Sequence, residues 1–197
     1  MVNLTRIYTR TGDQGSTRLS DMSLVAKTDP RVEAYGDVDE ANSVLGIVTA
    51  SGEVTGPLLD ALRIIQNELF DVGADLSNPV TPDPEWEPLR IVQPSIDRLE
   101  SWCDEFGDGL GSLASFILPG GTVAAAHLHL ARTVVRRAER AAWRAAGQVG
   151  LAGEEAAPGG INPLAITYLN RLSDLLFIAS RVVNRGGDVL WVPGADR

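Results

Sequence analysis

His129-Leu130-Ala131-Arg132-Thr133-Val134-Val135-Arg136-Arg137-Ala138-Glu139-Arg140-Ala141 reads as helix throughout, because Ala, Leu and Arg favour that state and neither Gly nor Pro interrupts it. On a helix Arg132, Arg136 and Arg140 fall at i, i+4 and i+8, so three guanidiniums project from one face. Like charges at that spacing repel by a few tenths of a kcal/mol per pair. Glu139, three residues from Arg136, is the only carboxylate within the stretch. The row is therefore a solvated face or a strip on which carboxylates or phosphates dock, since guanidinium meets both in a bidentate way.

Working outward, this helix is expected from near Thr122 to about Ala146. Four more helices are expected around it. Asp29-Pro30 places a capping residue before a proline at the first helical position, opening a helix to about Ala50 with Val32, Tyr35, Val38, Leu45 and Val48 among its apolar positions. Gly56-Pro57 opens a second, through about Leu76, whose Leu58, Leu62, Ile65, Leu69, Val72 and Leu76 recur at threes and fours. A third runs from about Gln93 to Phe106, with Ile96, Leu99, Trp102 and Cys103 on one side. Asn162-Pro163 starts the last, through about Asn184, with Leu169, Leu172, Leu176 and Ile178 as core candidates. Residues 3–27 read as an extended segment and loop. Gly147 to Gly160 reads as a mobile loop, and Asp188-Val189-Leu190-Trp191-Val192 as an apolar tail docking back on the bundle. The fold class is all-α: a five-helix bundle in one domain over 1–197, with an extended N-terminal segment at 1–28, helices across 29–186 and a tail at 187–197.

With 44% hydrophobic and 22% charged residues, the composition is that of an ordinary globular protein. A formal net charge of -9 argues against nucleic acid or an anionic membrane as partner, because those need a basic field. The lone Cys103 leaves no intramolecular disulfide, which suits a reducing compartment. The N-terminus lacks the apolar core of a signal peptide and there is no uninterrupted apolar run of membrane-spanning length, so a cytoplasmic protein is expected. His127 and His129 lie on different helical faces and read as packing or surface residues, so no protein-ligated metal cluster is expected.

Three further stretches carry chemistry-bearing side chains. In Thr9-Arg10-Thr11-Gly12-Asp13-Gln14-Gly15-Ser16-Thr17-Arg18, glycines bracket hydroxyls, a carboxylate and basic groups, which suits an anion-binding nest or an ordinary polar segment; it is not a Walker A loop. Asp37, Asp39 and Glu40 crowd one helical turn and repel unless basic groups neutralise them, within the chain or across a subunit boundary. Asn170, Ser173 and Asp174 share a helical face amid apolar residues. There they need hydrogen-bond partners, since burial without them costs roughly 1–3 kcal/mol each.

Taken together, these stretches resemble the PduO-type ATP:cob(I)alamin adenosyltransferases. The resemblance rests on four ordered blocks: Thr9-Arg10-Thr11-Gly12-Asp13-Gln14-Gly15; Gly36-Asp37-Val38-Asp39-Glu40; Phe116-Ile117-Leu118-Pro119-Gly120-Gly121 running into the arginine helix; and Leu169-Asn170-Arg171-Leu172-Ser173-Asp174. It implies a homotrimer of five-helix subunits with active sites at subunit interfaces. ATP, cob(I)alamin and Mg²⁺ meet there, and adenosylcobalamin and triphosphate leave. Such chemistry needs no protein nucleophile, because the cofactor itself supplies the reactive metal.

Residue by residue, the resemblance assigns the nucleotide to Thr9, Arg10, Thr11, Gly12, Asp13, Gly15, Thr17, Arg18 and Lys27, and to Arg136, Arg137, Glu139, Arg140 and Asn170. Arg136 would take the triphosphate, and Asn170 would lie near the Mg²⁺ that the triphosphate carries. Arg132 and Asp39 would form an intersubunit salt bridge. Phe116 would lie beneath the corrin and exclude its lower axial base. Ser16 and Arg18, and the long Gly/Ala-rich 147–160 loop, depart from the family's pattern. A cobalamin reductase and an adenosylcobalamin-dependent mutase are the expected partners. The competing readings are a corrinoid delivery protein that retains the bundle, or a nucleotide-binding helical scaffold.

Overall fold

The computed structural model describes residues 8–82, 84, 86–153 and 159–197. Helix α1 spans Pro30–Ala50, α2 Gly56–Leu76, α3 Gln93–Gly107, α4 Val123–Val149 and α5 Pro163–Asn184. Helix α4 lies between α1 and α5; α2 packs on α1, and α3 on α5. Its sequence explains that central place. Ala124, Ala131, Ala138 and Ala145 repeat every seven residues and are all buried, with Leu128, Val135 and Ala142 beside them. Small side chains on that seam let both neighbouring helices approach closely. Helix α1 answers with Ala34, Val38, Ala41, Leu45 and Val48, and α2 and α5 add Leu62, Ile65, Leu69, Leu172 and Leu176. Each fully buried Leu or Ile contributes about 1.5–3 kcal/mol.

The caps explain where the helices start. The Asp29 carboxylate accepts from the Arg31 amide at 2.8 Å, Thr122 caps α4 by accepting from Ala125 at 3.1 Å, and Asn162 caps α5 by accepting from Leu164 at 3.1 Å. Val32 and Tyr35 on α1, and Trp102 and Cys103 on α3, are half-buried rather than central.

Buried polar groups fix the ends of the bundle. The Asp75 carboxylate, withdrawn from solvent, accepts from Arg90 at 2.7 Å, the Ile91 amide at 2.8 Å and Asn162 at 2.7 Å. It thereby ties the 78–92 connection and the start of α5 to the end of α2. Glu68 accepts from the Tyr168 hydroxyl at 2.8 Å and from Arg98. Removing one partner of such a buried ionic group costs about 3–5 kcal/mol.

Three parts differ from the sequence expectation. Residues 3–27 read as an extended segment and loop, and within them β1 (Ser16–Arg18) and β2 (Leu24–Ala26) form an antiparallel hairpin with Thr17 opposite Val25, which the sequence did not indicate. Strands of three residues are too short to show an alternation. Helix α4 runs three residues past its expected end, to Val149, and is capped by Gly150, whose φ of 79° suits glycine. The rest of the 147–160 segment, expected as a mobile loop, is partly paired, with Leu151 beside Ile161 and Val80 beside Gly160; its residues 154–158 lie outside those described. Asn170 and Asp174 are exposed, and only Ser173 of that trio is buried. One turn of helix separates the core-facing stripe from its shoulder, which residue spacing alone does not resolve.

Candidate active site

The arginine row of α4 divides into two faces. Arg137 turns to α1, where its guanidinium donates to Asp37 at 3.1 Å and to Glu40. Two helical turns on, Arg144 pairs with Glu33 at 2.6 Å, so α1 and α4 are laced along that side. Arg137, assigned to the nucleotide by the resemblance, is thus held by two carboxylates of α1 in the single chain. Those same contacts account for two of the three crowded acids of α1.

Arg132, Arg136 and Arg140 present the other face. Among the described residues no salt bridge joins any of them to a carboxylate. Arg140 donates only to the Arg136 carbonyl, at 2.9 Å. The Arg132 Nε is buried without a hydrogen-bond partner, and burial followed by the nearby Arg136 charge pushes the Arg132 pKa down. Both effects weigh against its cationic form, and a nearby anion would offset them. Beside them the Asn170 amide donates to Glu139 at 3.1 Å, joining α5 to the same face. The structure thus brings together Arg132, Arg136, Glu139, Arg140 and Asn170.

His129 sits one turn before Arg132, buried edge-on against Phe177 with a ring separation of 6.2 Å. Neither ring nitrogen has a partner among the described residues. Burial and then Arg132 lower its pKa, with Asp188 opposing, so it is neutral.

The N-terminal loop is folded on itself. Gly15 donates to the Gly12 carbonyl at 3.2 Å and the Lys27 amide to Gly15 at 2.8 Å. Lys27 lies across Gly12, where a Cβ would meet its Cε and Nζ at 3.1 Å, so glycine there makes room for the ammonium. Thr9 and Thr11 share a hydrogen bond of 2.9 Å, and Arg10 stands over the Tyr8 ring. Arg10 itself has a φ of 62°, a strained conformation for a residue with a side chain. Thr17 lies near Tyr35 of α1, and Arg18 donates to the Met22 carbonyl at 2.7 Å. Asp13 and Lys27 are exposed. Leu19 and Val25 of the hairpin share a cleft with Ala145, Gln148 and Val149, which sets the segment beside the C-terminal part of α4.

Two residues lie apart. Asp39 faces a groove between α1 and α2 with Asn42, Gln66, Asn67 and Phe70, away from Arg132 of its own chain. Phe116 is 78% exposed, an unusual state for a large apolar ring, and meets Trp191 edge-to-face at 6.1 Å. The sequence placed the tail against the bundle without indicating this pairing, because aromatic partners far apart in the chain leave no spacing signal. Among the described residues no group of three or more His, Cys, Asp or Glu is placed to hold a metal ion.

A sequence model of the cobalamin adenosyltransferase family matches residues 7–183. The chain belongs to that family. It is 59% identical over 196 residues to a corrinoid adenosyltransferase of Mycobacterium tuberculosis, a match covering 100% of this chain and 97% of the relative. It is 41% identical over 184 residues to the corrinoid adenosyltransferase of Bacillus subtilis, covering 91% and 86%. Among solved structures, a variant PduO-type ATP:corrinoid adenosyltransferase from Lactobacillus reuteri, complexed with cobalamin and ATP, superposes with a TM-score of 0.81. That match has 36% identity and covers 97% of this chain and 99% of that one. The family is one of transferases, its PduO-type members share this helical architecture, and the N-terminal loop and Arg132, Arg136, Arg140 and Asn170 all lie within the matched span.

Proposed function

We propose that this chain transfers the 5′-deoxyadenosyl group of ATP to cob(I)alamin, giving adenosylcobalamin and triphosphate. The observation that carries the reading is the face of Arg132, Arg136 and Arg140, three cations joined to no carboxylate among the described residues. Triphosphate is the anion such a face suits. In the reaction the cobalt(I) electron pair attacks C5′, the C5′–O bond breaks, and its electrons leave with triphosphate. The metal rises formally from cobalt(I) to cobalt(III). No side chain has to act as nucleophile or base, and charge stabilisation by preorganised donors is the protein's contribution.

In this reading Arg136 holds the leaving triphosphate, with Arg140 beside it. Asn170, oriented by Glu139 at 3.1 Å, lies near the Mg²⁺ that the triphosphate carries. The loop of Thr9–Gly15, with Thr17, Arg18 and Lys27, covers the nucleotide. Phe116 lies beneath the corrin and keeps its lower axial base away, which makes cobalt(II) easier to reduce. Asp39 bridges to Arg132 of another copy in a homotrimer; no salt bridge joins the two among the described residues of the single chain, which leaves both open to a partner in trans. A reductase would supply cobalt(I), and a mutase in the same cytoplasm would consume the product.

The test is Arg136→Ala, compared with the native chain in thermal melting and in turnover of MgATP with chemically reduced cobalamin. We expect an unchanged melt and a rate at least about a hundredfold lower, the usual loss on removing a transition-state charge partner. Near-native turnover would remove Arg136 from the triphosphate site.

A further inference from the structure

We propose that Arg181, Asn184 and Asp188 form a latch that holds the C-terminal tail against the 115–122 loop and so sets the position of Phe116. All three stand outside the arginine face. Arg181 donates to Asp188 at 3.0 Å with both side chains largely withdrawn from solvent, at 15% and 9% exposure. Its other guanidinium nitrogen donates to the Gly111 carbonyl at 2.7 Å. Asn184 donates to the Gly120 carbonyl at 3.2 Å and to Asp188 at 3.3 Å, and accepts from the Thr122 amide at 3.0 Å. One asparagine at the end of α5 therefore grips both the tail and the loop that leads into α4. Glycine is required opposite it: a Cβ on Gly121, where φ is 102°, would lie 2.1 Å from the Asn184 oxygen.

Beyond the latch the two segments pair. Leu118 donates to the Val189 carbonyl at 2.7 Å, Trp191 to the Phe116 carbonyl at 2.7 Å, and the Ser115 hydroxyl to the Trp191 carbonyl at 2.9 Å. Ile117 stands opposite Leu190. This ladder is too short to be stable unaided. Phe116 and Trp191 are themselves exposed, so little apolar burial fixes them. The ionic and amide contacts at 181, 184 and 188 are what remain to hold the ring pair in one place. These three are positioning residues, acting through Phe116.

The consequence for cobalt rests on the corrin role given to Phe116 above, so the test reads the latch and that role separately. Asp188→Ala removes an acceptor of both Arg181 and Asn184, while Asp188→Asn keeps one. Amide hydrogen exchange at Leu118 and Trp191 reports the pairing without any ligand. The four-coordinate signal of bound cob(II)alamin with MgATP reports the ring. We expect exchange at both amides to rise about tenfold or more in Asp188→Ala, the loss that follows local opening, with partial recovery in Asp188→Asn. The cob(II)alamin signal should fall towards that of Phe116→Ala, while the KM for ATP and the thermal melt stay within about twofold and a few degrees of native. Unchanged exchange at both amides would overturn the latch. So would a native cob(II)alamin signal in Asp188→Ala when Phe116→Ala has lost it. If Phe116→Ala itself keeps the native signal, the corrin role of Phe116 falls, and exchange alone decides whether the latch exists.

Discussion

At the level of single residues, His129 shows how burial alone sets a protonation state. Its ring is enclosed against Phe177 and beside Arg132, so its folded pKa lies below the ordinary histidine value of 6.5. Between the lowered folded value and 6.5 the unfolded chain binds more protons than the folded one, so stability is lost as pH falls through that window and is full above it. We predict that denaturant unfolding measured from pH 7 to 5 shows this loss, with a slope of at most about 1.4 kcal/mol per pH unit from this group. In His129→Phe the slope should shrink; an identical slope would place the titration elsewhere. Cys103 carries the opposite sign. Burial first, then Asp174, pushes its thiol up to about 11 from 9.0. Its thiolate fraction at pH 8 is then about a hundredfold lower than that of an ordinary thiol, and alkylation by iodoacetamide should slow in proportion. Labelling at the rate of a free thiol would contradict that burial. Neither state was legible in the sequence: a histidine two residues from another gives no sign of which one faces the core.

At the level of elements, α4 is the part the sequence made plainest. The arginine spacing located one face and the start was expected near Thr122, while the buried alanine heptad on the other face and the Thr122 cap came with the structure. The division of the arginines was not legible, because Arg136 and Arg137 are neighbours in sequence and 100° apart around the helix. Only the acids of α1 separate them: Arg137 meets Asp37 and Glu40, whereas Arg136 meets neither. We predict that Arg137→Met lowers unfolding stability by about 1 kcal/mol or less, the range for a partly exposed pair, and leaves turnover far above that of Arg136→Ala. Loss of turnover without loss of stability in Arg137→Met would return that residue to the nucleotide. The hairpin of β1 and β2 escaped notice because three residues per strand cannot display a period, although the loop it carries was marked by its glycines.

At the level of the whole molecule, the single chain holds half of each arrangement the proposed site requires. Among the described residues Arg132 has a buried Nε without a hydrogen-bond partner, and Asp39 lines a groove between α1 and α2, joined by no salt bridge to a basic side chain. In the proposed homotrimer an intersubunit pair would satisfy both. Light scattering should give a particle close to three times the 21.0 kDa chain mass, and Asp39→Ala should reduce turnover while the monomer's helical content persists. A fully active monomer would contradict the shared site. Among the described residues no helix is long and apolar enough to cross a membrane. The most direct measurement of the account as a whole is a product assay with purified chain, chemically reduced cob(I)alamin and MgATP, following adenosylcobalamin by absorbance and triphosphate by chromatography. The account predicts both products in equal amounts. Tight corrinoid binding without either product would contradict it and point to a delivery protein.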